Sequence, residues 1–194
     1  GLRVQLADRS PQQTNPLLDV VAQVLDLADG RVEATRVLDL LASAPVSRRF
    51  GFSQDDHEQL ARWVTTAGVR WAWDESGRER YGLDQVVQNT WRFGLDRVLT
   101  GVVLFDDSRL YVDRALPLDD VSSTSIALAG RFAEAVNRLQ VLTGALTGSH
   151  PVEHWLTTLR DGLGGIADVA PGDEWQFAQM HRELVRLTTA AESG

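Results

Sequence analysis

STSIALAGRFAEAVNRLQVLTGAL, Ser123 to Leu146, carries the most regular pattern in the chain. Leu128, Phe132, Ala135, Leu139, Leu142 and Leu146 alternate steps of four and three, which puts them on one stripe of a 3.6-residue helix. Glu134 stands four residues before Arg138, the spacing of a surface ion pair. A helix this long with one deep apolar face is stable only if other helices cover that face. The neighbouring sequence supplies them.

Downstream, Pro151 suits the first turn of a helix that turns Val152, Trp155, Leu156, Leu159 and Leu163 inward. The GLGG run at 162–165 reads as its stop. A last helix over about 173–191 puts Phe177, Met180, Leu184, Leu187 and Ala191 on one stripe. Upstream, Asn89-Thr-Trp-Arg-Phe-Gly-Leu-Asp-Arg-Val-Leu-Thr-Gly101 has two readings. Trp91 and Phe93 could stack on bases while Arg92 and Arg97 hold phosphates. As a helix capped by Asn89 or Thr90, it instead puts Trp91, Leu95, Val98, Leu99 and Val102 on one face, pairs Arg92 with Asp96, and stops at Gly101. Helix logic leaves Phe93, Gly94 and Arg97 over, and a mid-helix glycine, which costs about 1 kcal/mol, marks a close approach.

The amino-terminal third continues the pattern. Thr14 and Asn15 offer a cap ahead of Pro16, and Leu17, Leu18, Val21, Val24, Leu25 and Ala28 form a stripe ending at Asp29-Gly30. A second helix covers about 33–42, followed by Pro45. A third starts at Ser53 with Asp56 in capping-box spacing, buries Leu60, Trp63, Val64 and Ala67, and ends at Gly68. Period two appears only briefly, in Val4 and Leu6 of residues 3–8 and in Val69, Trp71 and Trp73 of GVRWAWD, 68–74, each a short strand or extended stretch. Residues 74–88 have mixed charge and no period and read as a loop. The fold class is therefore mainly α, a helical bundle-like domain with minor short strands.

Composition narrows the chemistry. Among 194 residues there is no cysteine, so disulfides, thiolate nucleophiles and zinc ribbons are excluded. All 19 Lys-plus-Arg residues are arginine, which removes P-loop and Schiff-base lysines. No initiating Met, signal peptide or membrane-spanning apolar run is present, and the expectation is a segment of a larger, cytoplasmic chain without membrane contact. A net charge of −8 argues against tight, independent DNA binding.

No catalytic motif emerges. His150-Pro-Val-Glu-His154 matches a zinc spacing, but Pro151 belongs in a first helical turn and leaves His150 outside it, and no third ligand follows. His57 and His181 sit beside acidic neighbours on helices. The pairs Asp55-Asp56, Asp106-Asp107 and Asp119-Asp120 read as helix starts and turns. No cofactor is expected. Trp71 and Trp73 beside Arg70 either form a base-stacking platform or close the helical core.

Together, ADRS at 7–10, NPLL at 15–18, VLDLL at 37–41, RRFG at 48–51, Trp63, AGVRW at 67–71, and TWRFGLDR with LTG at 90–101 resemble the RecC family, the gamma subunits of exodeoxyribonuclease V in the RecBCD complex. P-V-x-x-W at 151–155 extends the likeness. The resemblance implies a segment similar to the 2B subdomain of superfamily 1 helicases over residues 15–194, with 1–14 at the edge of a 2A-like domain. It implies a helicase-like protein without ATPase chemistry, which helps to split duplex DNA, holds single strands in channels and scaffolds RecB-like and RecD-like subunits. Family residues that read Chi lie outside this segment. The expected role is a non-catalytic scaffold and DNA-channel wall in an ATP-dependent helicase and nuclease, with Arg70, Trp71, Arg92 and Arg97 contacting DNA or a subunit. The rival is an acidic protein-docking module that never touches DNA. The arginine-only, alanine-rich composition points to a high-GC bacterium.

Overall fold

Asn15 starts the first helix as its local chemistry dictates: its side-chain oxygen accepts the Leu17 N–H at 2.9 Å, and Pro16 takes the first turn. In a computed structural model that describes residues 15–103 and 125–192, this helix, α1, spans Pro16–Asp29. The strand expected at 3–8 lies outside the described residues. Asn15 also donates from Nδ2 to the Gln176 carbonyl at 2.8 Å, tying the start of α1 to the far end of the sequence.

Next come α2 (Ala34–Ala42), α3 (Ala44–Phe50) and α4 (Gln54–Ala67). The sequence reading has no α3, because it treats Pro45 only as a terminator. Ser43 ends α2 in an extended conformation, and Pro45 then sits in the first turn of a new helix, where its missing N–H costs nothing. The capping box of α4 forms in both directions: Asp56 N–H donates to Ser53 Oγ at 3.2 Å, and Ser53 N–H to the Asp56 carboxylate at 2.9 Å. Gly68, at φ 76°, ends α4 in the left-handed conformation that only glycine adopts without penalty.

Residues 68–74 make no strand; bends and a left-handed Ala72 break the extended geometry. Within the expected loop, Ser76–Tyr81 winds into a 3₁₀ turn. Then α5 (Trp91–Val103) starts where Thr90 Oγ1 accepts the Phe93 N–H at 3.2 Å. It passes through Gly101, which is buried and no stop, and Leu99 is exposed rather than inward. Helix α6 (Ile126–Ala145) buries Leu128, Phe132, Ala135, Leu139 and Leu142, with Leu146 just beyond it, and the Glu134–Arg138 pair closes at 2.6 Å. Each buried Leu or Phe there contributes about 2 kcal/mol.

Helix α7 (Val152–Ile166) runs straight through the GLGG segment. Gly162 is an approach point rather than a stop, since a Cβ there would stand 2.3 Å from Leu142 Cδ1 on α6. Helix α8 (Trp175–Glu192) buries Met180 and Leu184 but leaves Leu187 exposed. Helix α6 packs on α1, α5 and α7, α4 on α2 and α5, and α8 on α1 and α7, around one continuous core in which Trp63, Trp91 and Phe132 are fully buried. The protein is mainly helical, and among the described residues there is no strand and no helix long and apolar enough to cross a membrane.

Candidate nucleic-acid and subunit interface

Beyond α4 the chain must turn without regular structure, and backbone hydrogen bonds to two distant segments hold it. Ala72 N–H donates to the Arg31 carbonyl and Ala34 N–H to the Arg70 carbonyl, each at 2.9 Å. On the other flank, Arg70 N–H donates to the Asn89 carbonyl, Trp91 N–H to Ala72 and Arg92 N–H to Trp73, at 2.9–3.0 Å. Residues 70–73 thus run between 31–34 and 89–92. Three non-glycine residues here are left-handed, Val32 at φ 55°, Ala72 at 69° and Asn89 at 64°. Asn tolerates that region, whereas a β-branched Val is a true outlier. Val32 is held there because its buried carbonyl accepts the Trp91 indole N–H at 3.1 Å.

The four expected contact residues fall into different environments. Arg70 and Arg92 are exposed, and neither pairs with a carboxylate among the described residues. Trp71 is half-buried, and Trp91, 1% exposed, belongs to the core. Arg97 donates to the Ala67 carbonyl at 2.9 Å and the Thr66 carbonyl at 3.4 Å, so it neutralises the carboxyl end of α4. Phe93 is half-buried.

Around Trp71 stand residues that the sequence reading passed over. Arg78, 2% exposed, donates to the carbonyls of Trp71 (2.9 Å), Val86 (2.8 Å) and Gln88 (2.7 Å), and its guanidinium lies 4.6 Å from the Trp71 ring centroid. Burial pulls its pKa below the usual arginine value. Tyr81 meets Trp71 edge to face at 5.2 Å. Arg31 and Arg80 sit 4.8 and 5.0 Å from the Tyr81 centroid. A hydrogen bond from Arg31 Nε to the Tyr81 hydroxyl, helped by the Arg80 charge, holds that phenol below its ordinary pKa. The RERY run at 78–81, between Gly77 and Gly82, is the signal available in the sequence. Arg31, 50 residues away from Tyr81, has no local marker.

The other ionisable groups assemble no catalytic centre among the described residues. His150 lies outside α7 with its ring tilted against His154 at 4.3 Å between centroids, and among the described residues no three potential ligands converge on a metal position. Ser47 and His57 make a close pair, Oγ to Nε2 at 2.9 Å. Ser47 donates its only hydroxyl proton to the Leu41 carbonyl, so His57 Nε2 carries the proton and donates. The hydroxyl is a brace between α2, α3 and α4, and its proton is not available for a nucleophile's base.

His57 gives a pH prediction. Burial, with Phe52 edge-on at 5.7 Å, lowers its pKa below 6.5, and Asp56 opposes this while also facing Arg131 at 3.3 Å. Between the folded and unfolded pKa values the unfolded chain binds more protons. The stability held by neutral His57 is therefore complete above about pH 6.5 and drains as pH falls through the folded-state value. The melting temperature of the wild-type chain should drop more between about pH 7.5 and pH 5.5 than that of His57→Gln, which keeps a donor toward Ser47 but cannot titrate. Equal drops would refute the assignment.

Residues 14–194 match the family described as RecBCD enzyme subunit RecC, fourth domain. The chain is 48% identical over 192 residues to the RecBCD enzyme subunit RecC of Mycobacterium tuberculosis H37Rv, covering 99% of this chain and 17% of that protein. It is 47% identical over 190 residues to that of Mycolicibacterium smegmatis, covering 98% and 17%, and 31% identical over 161 residues to that of Escherichia coli K12, covering 83% and 14%. The chain spans less than a fifth of the length of these relatives.

Proposed function

Because this chain belongs to the RecC family, as a segment matching its fourth domain, we propose that it is a non-catalytic scaffold and DNA-channel wall of a RecBCD-type helicase and nuclease acting in double-strand-break repair. In this reading residues 15–194 form a 2B-like domain and 1–14 the edge of a 2A-like one. RecB-like and RecD-like subunits and duplex or single-stranded DNA are its partners. The observation that carries the DNA contact is the exposure of Arg70 and Arg92, without carboxylate partners among the described residues, beside half-buried Trp71. Arg97 joins this reading at the end of α4, where it donates to the Ala67 carbonyl.

The test is the Arg70→Glu, Arg92→Glu double variant in the full complex, titrated with labelled forked DNA across a range of salt. If both arginines meet phosphates, affinity falls and the log–log salt slope becomes shallower by about two, since each lost phosphate contact removes about 0.9. Unchanged affinity and slope would remove these residues from the DNA path.

A second reading is an acidic docking module without DNA contact. The net charge of −8 favours it, as do Asp74, Glu75, Glu79 and Asp84, which share the 70–86 segment with the arginines and would repel a polyanion.

A further inference from the structure

Arg31 and Arg80 form an unusual pair in an acidic chain: two exposed guanidiniums, both within 5.0 Å of the Tyr81 ring centroid, neither paired with a carboxylate among the described residues. Several arginines elsewhere in the fold find acids, as in Arg36–Asp26, Arg131–Asp56 and Arg138–Glu134, but none of those is stacked with a second arginine on one ring. Two cations held on one ring leave local positive charge that an anion at their exposed ends would offset. The pair is also preorganised. Arg31 is fixed by its bond to the Tyr81 hydroxyl and Arg80 by one to the Gly30 carbonyl at 3.1 Å, so their remaining N–H donors are presented with little entropy left to lose.

The chemistry of that anion follows from the surroundings. Two guanidiniums pack on the Tyr81 ring, while Arg78 and Tyr81 pack against Trp71, so both rings are already engaged by cations and by each other. Directly after Tyr81 (40% exposed) come Leu83 (40%) and Val86 (38%), apolar side chains open to solvent on a loop that Arg78 holds rigid. An apolar rim beside stacked arginines and a tyrosine has the composition of a protein-binding hot spot rather than of a phosphate site.

We infer that Arg31, Arg80, Tyr81, Leu83 and Val86 form a docking surface for a separate protein subunit, which brings an Asp or Glu carboxylate to the exposed guanidiniums and an apolar side chain against Leu83 and Val86. This inference rests on the complex-subunit reading above. Its residues differ from the proposed DNA contacts Arg70 and Arg92 but adjoin them, since Arg31 lies 5.7 Å from the Trp71 ring centroid.

The experiment uses the full-length subunit, co-expressed with its RecB-like and RecD-like partners, as wild type, as Arg31→Glu with Arg80→Glu, and as Leu83→Ser with Val86→Ser. Assembly is followed by size-exclusion chromatography at about 0.15 M salt. Each isolated variant subunit is melted, and each assembled complex is titrated with forked DNA. The inference expects both double variants to weaken assembly about tenfold or more, with subunit melting and DNA affinity of the assembled fraction unchanged. Undiminished assembly in both variants overturns it. So does a loss of DNA affinity with assembly intact, which would assign the arginines to phosphate. A drop in the melting temperature of the isolated subunit with assembly intact also overturns it, since another part of the same polypeptide would then cover the patch. If the wild type itself does not assemble with those subunits, the underlying subunit reading fails, and the inference with it.

Discussion

Arg78→Ala is expected to cost the protein about 3 kcal/mol and to strip protection from the amides of residues 71–90. A hydrogen bond from a charged donor contributes about 1.5–3 kcal/mol, and this one side chain holds three main-chain carbonyls from separate points of the loop. Without it the Trp71, Val86 and Gln88 carbonyls lose their common donor, and the loop relaxes toward solvent, which keeps the loss below the full sum. Hydrogen exchange should therefore show fast amides across 71–90, with α6 and α7 still protected. Arg78→Lys should rescue little, because one ammonium on a flexible stem cannot match a planar fork aimed at three acceptors. Native-like protection of 71–90 in the alanine variant would show that backbone pairing alone holds the segment.

Gly94→Ala is expected to lower stability by about 2 kcal/mol, although alanine is the better helix former. The added Cβ would meet Val69 Cγ2 at 2.2 Å and Ala67 Cβ at 3.6 Å. Val69 is buried and β-branched, so it has no long side chain to swing aside. Overpacking of this kind costs about 1–3 kcal/mol, and the upper end applies here, less about 1 kcal/mol regained from helix propensity. For a chain of this size the melting temperature should fall by about 4–8 °C. Val69→Ala should recover much of that loss in the double variant, and the coupling in a mutant cycle is the measure. Gly162→Ala is the contrast. Its clash is with the flexible end of Leu142, at 2.3 Å from Cδ1, so that variant should lose about 1 kcal/mol or less. A neutral Gly94→Ala would mean that α4 and α5 can slide apart at no cost.

The residues of the proposed interface were only partly legible. Arg70, Trp71 and Arg92 stand out in the sequence as cations beside aromatics, and the structure does place them near one another along paired backbone segments. Arg97 looked identical to them in composition, yet its guanidinium is turned to the end of α4. Arg31 has no local marker, and the RERY run flags Arg78 without showing what it holds. One acts on a ring 50 residues away, and the other takes its role from three carbonyls that converge only when the loop is folded.

The sequence by itself determined the helical architecture and most of its starts: the Asn15-Pro16 cap, the Ser53/Asp56 capping box, the Gly68 end of α4 and the stripe of α6 are all written in residues within one or two turns of each other. Helices are legible because their hydrogen bonds and apolar period are local. Apart from Gly68, the tertiary structure decided which glycines end helices. Gly51 and Gly68 turn left-handed and stop α3 and α4, while Gly101 and the GLGG run stay inside α5 and α7. At Gly94 and Gly162 the choice of glycine was made by a side chain on another helix, Val69 beyond α4 and Leu142 on α6, filling the space a Cβ would need. The same holds for residues 68–92. Val32 and Ala72 adopt left-handed backbones that their own side chains disfavour, because buried carbonyls and N–H groups from distant segments must find partners there, and that demand outweighs local preference.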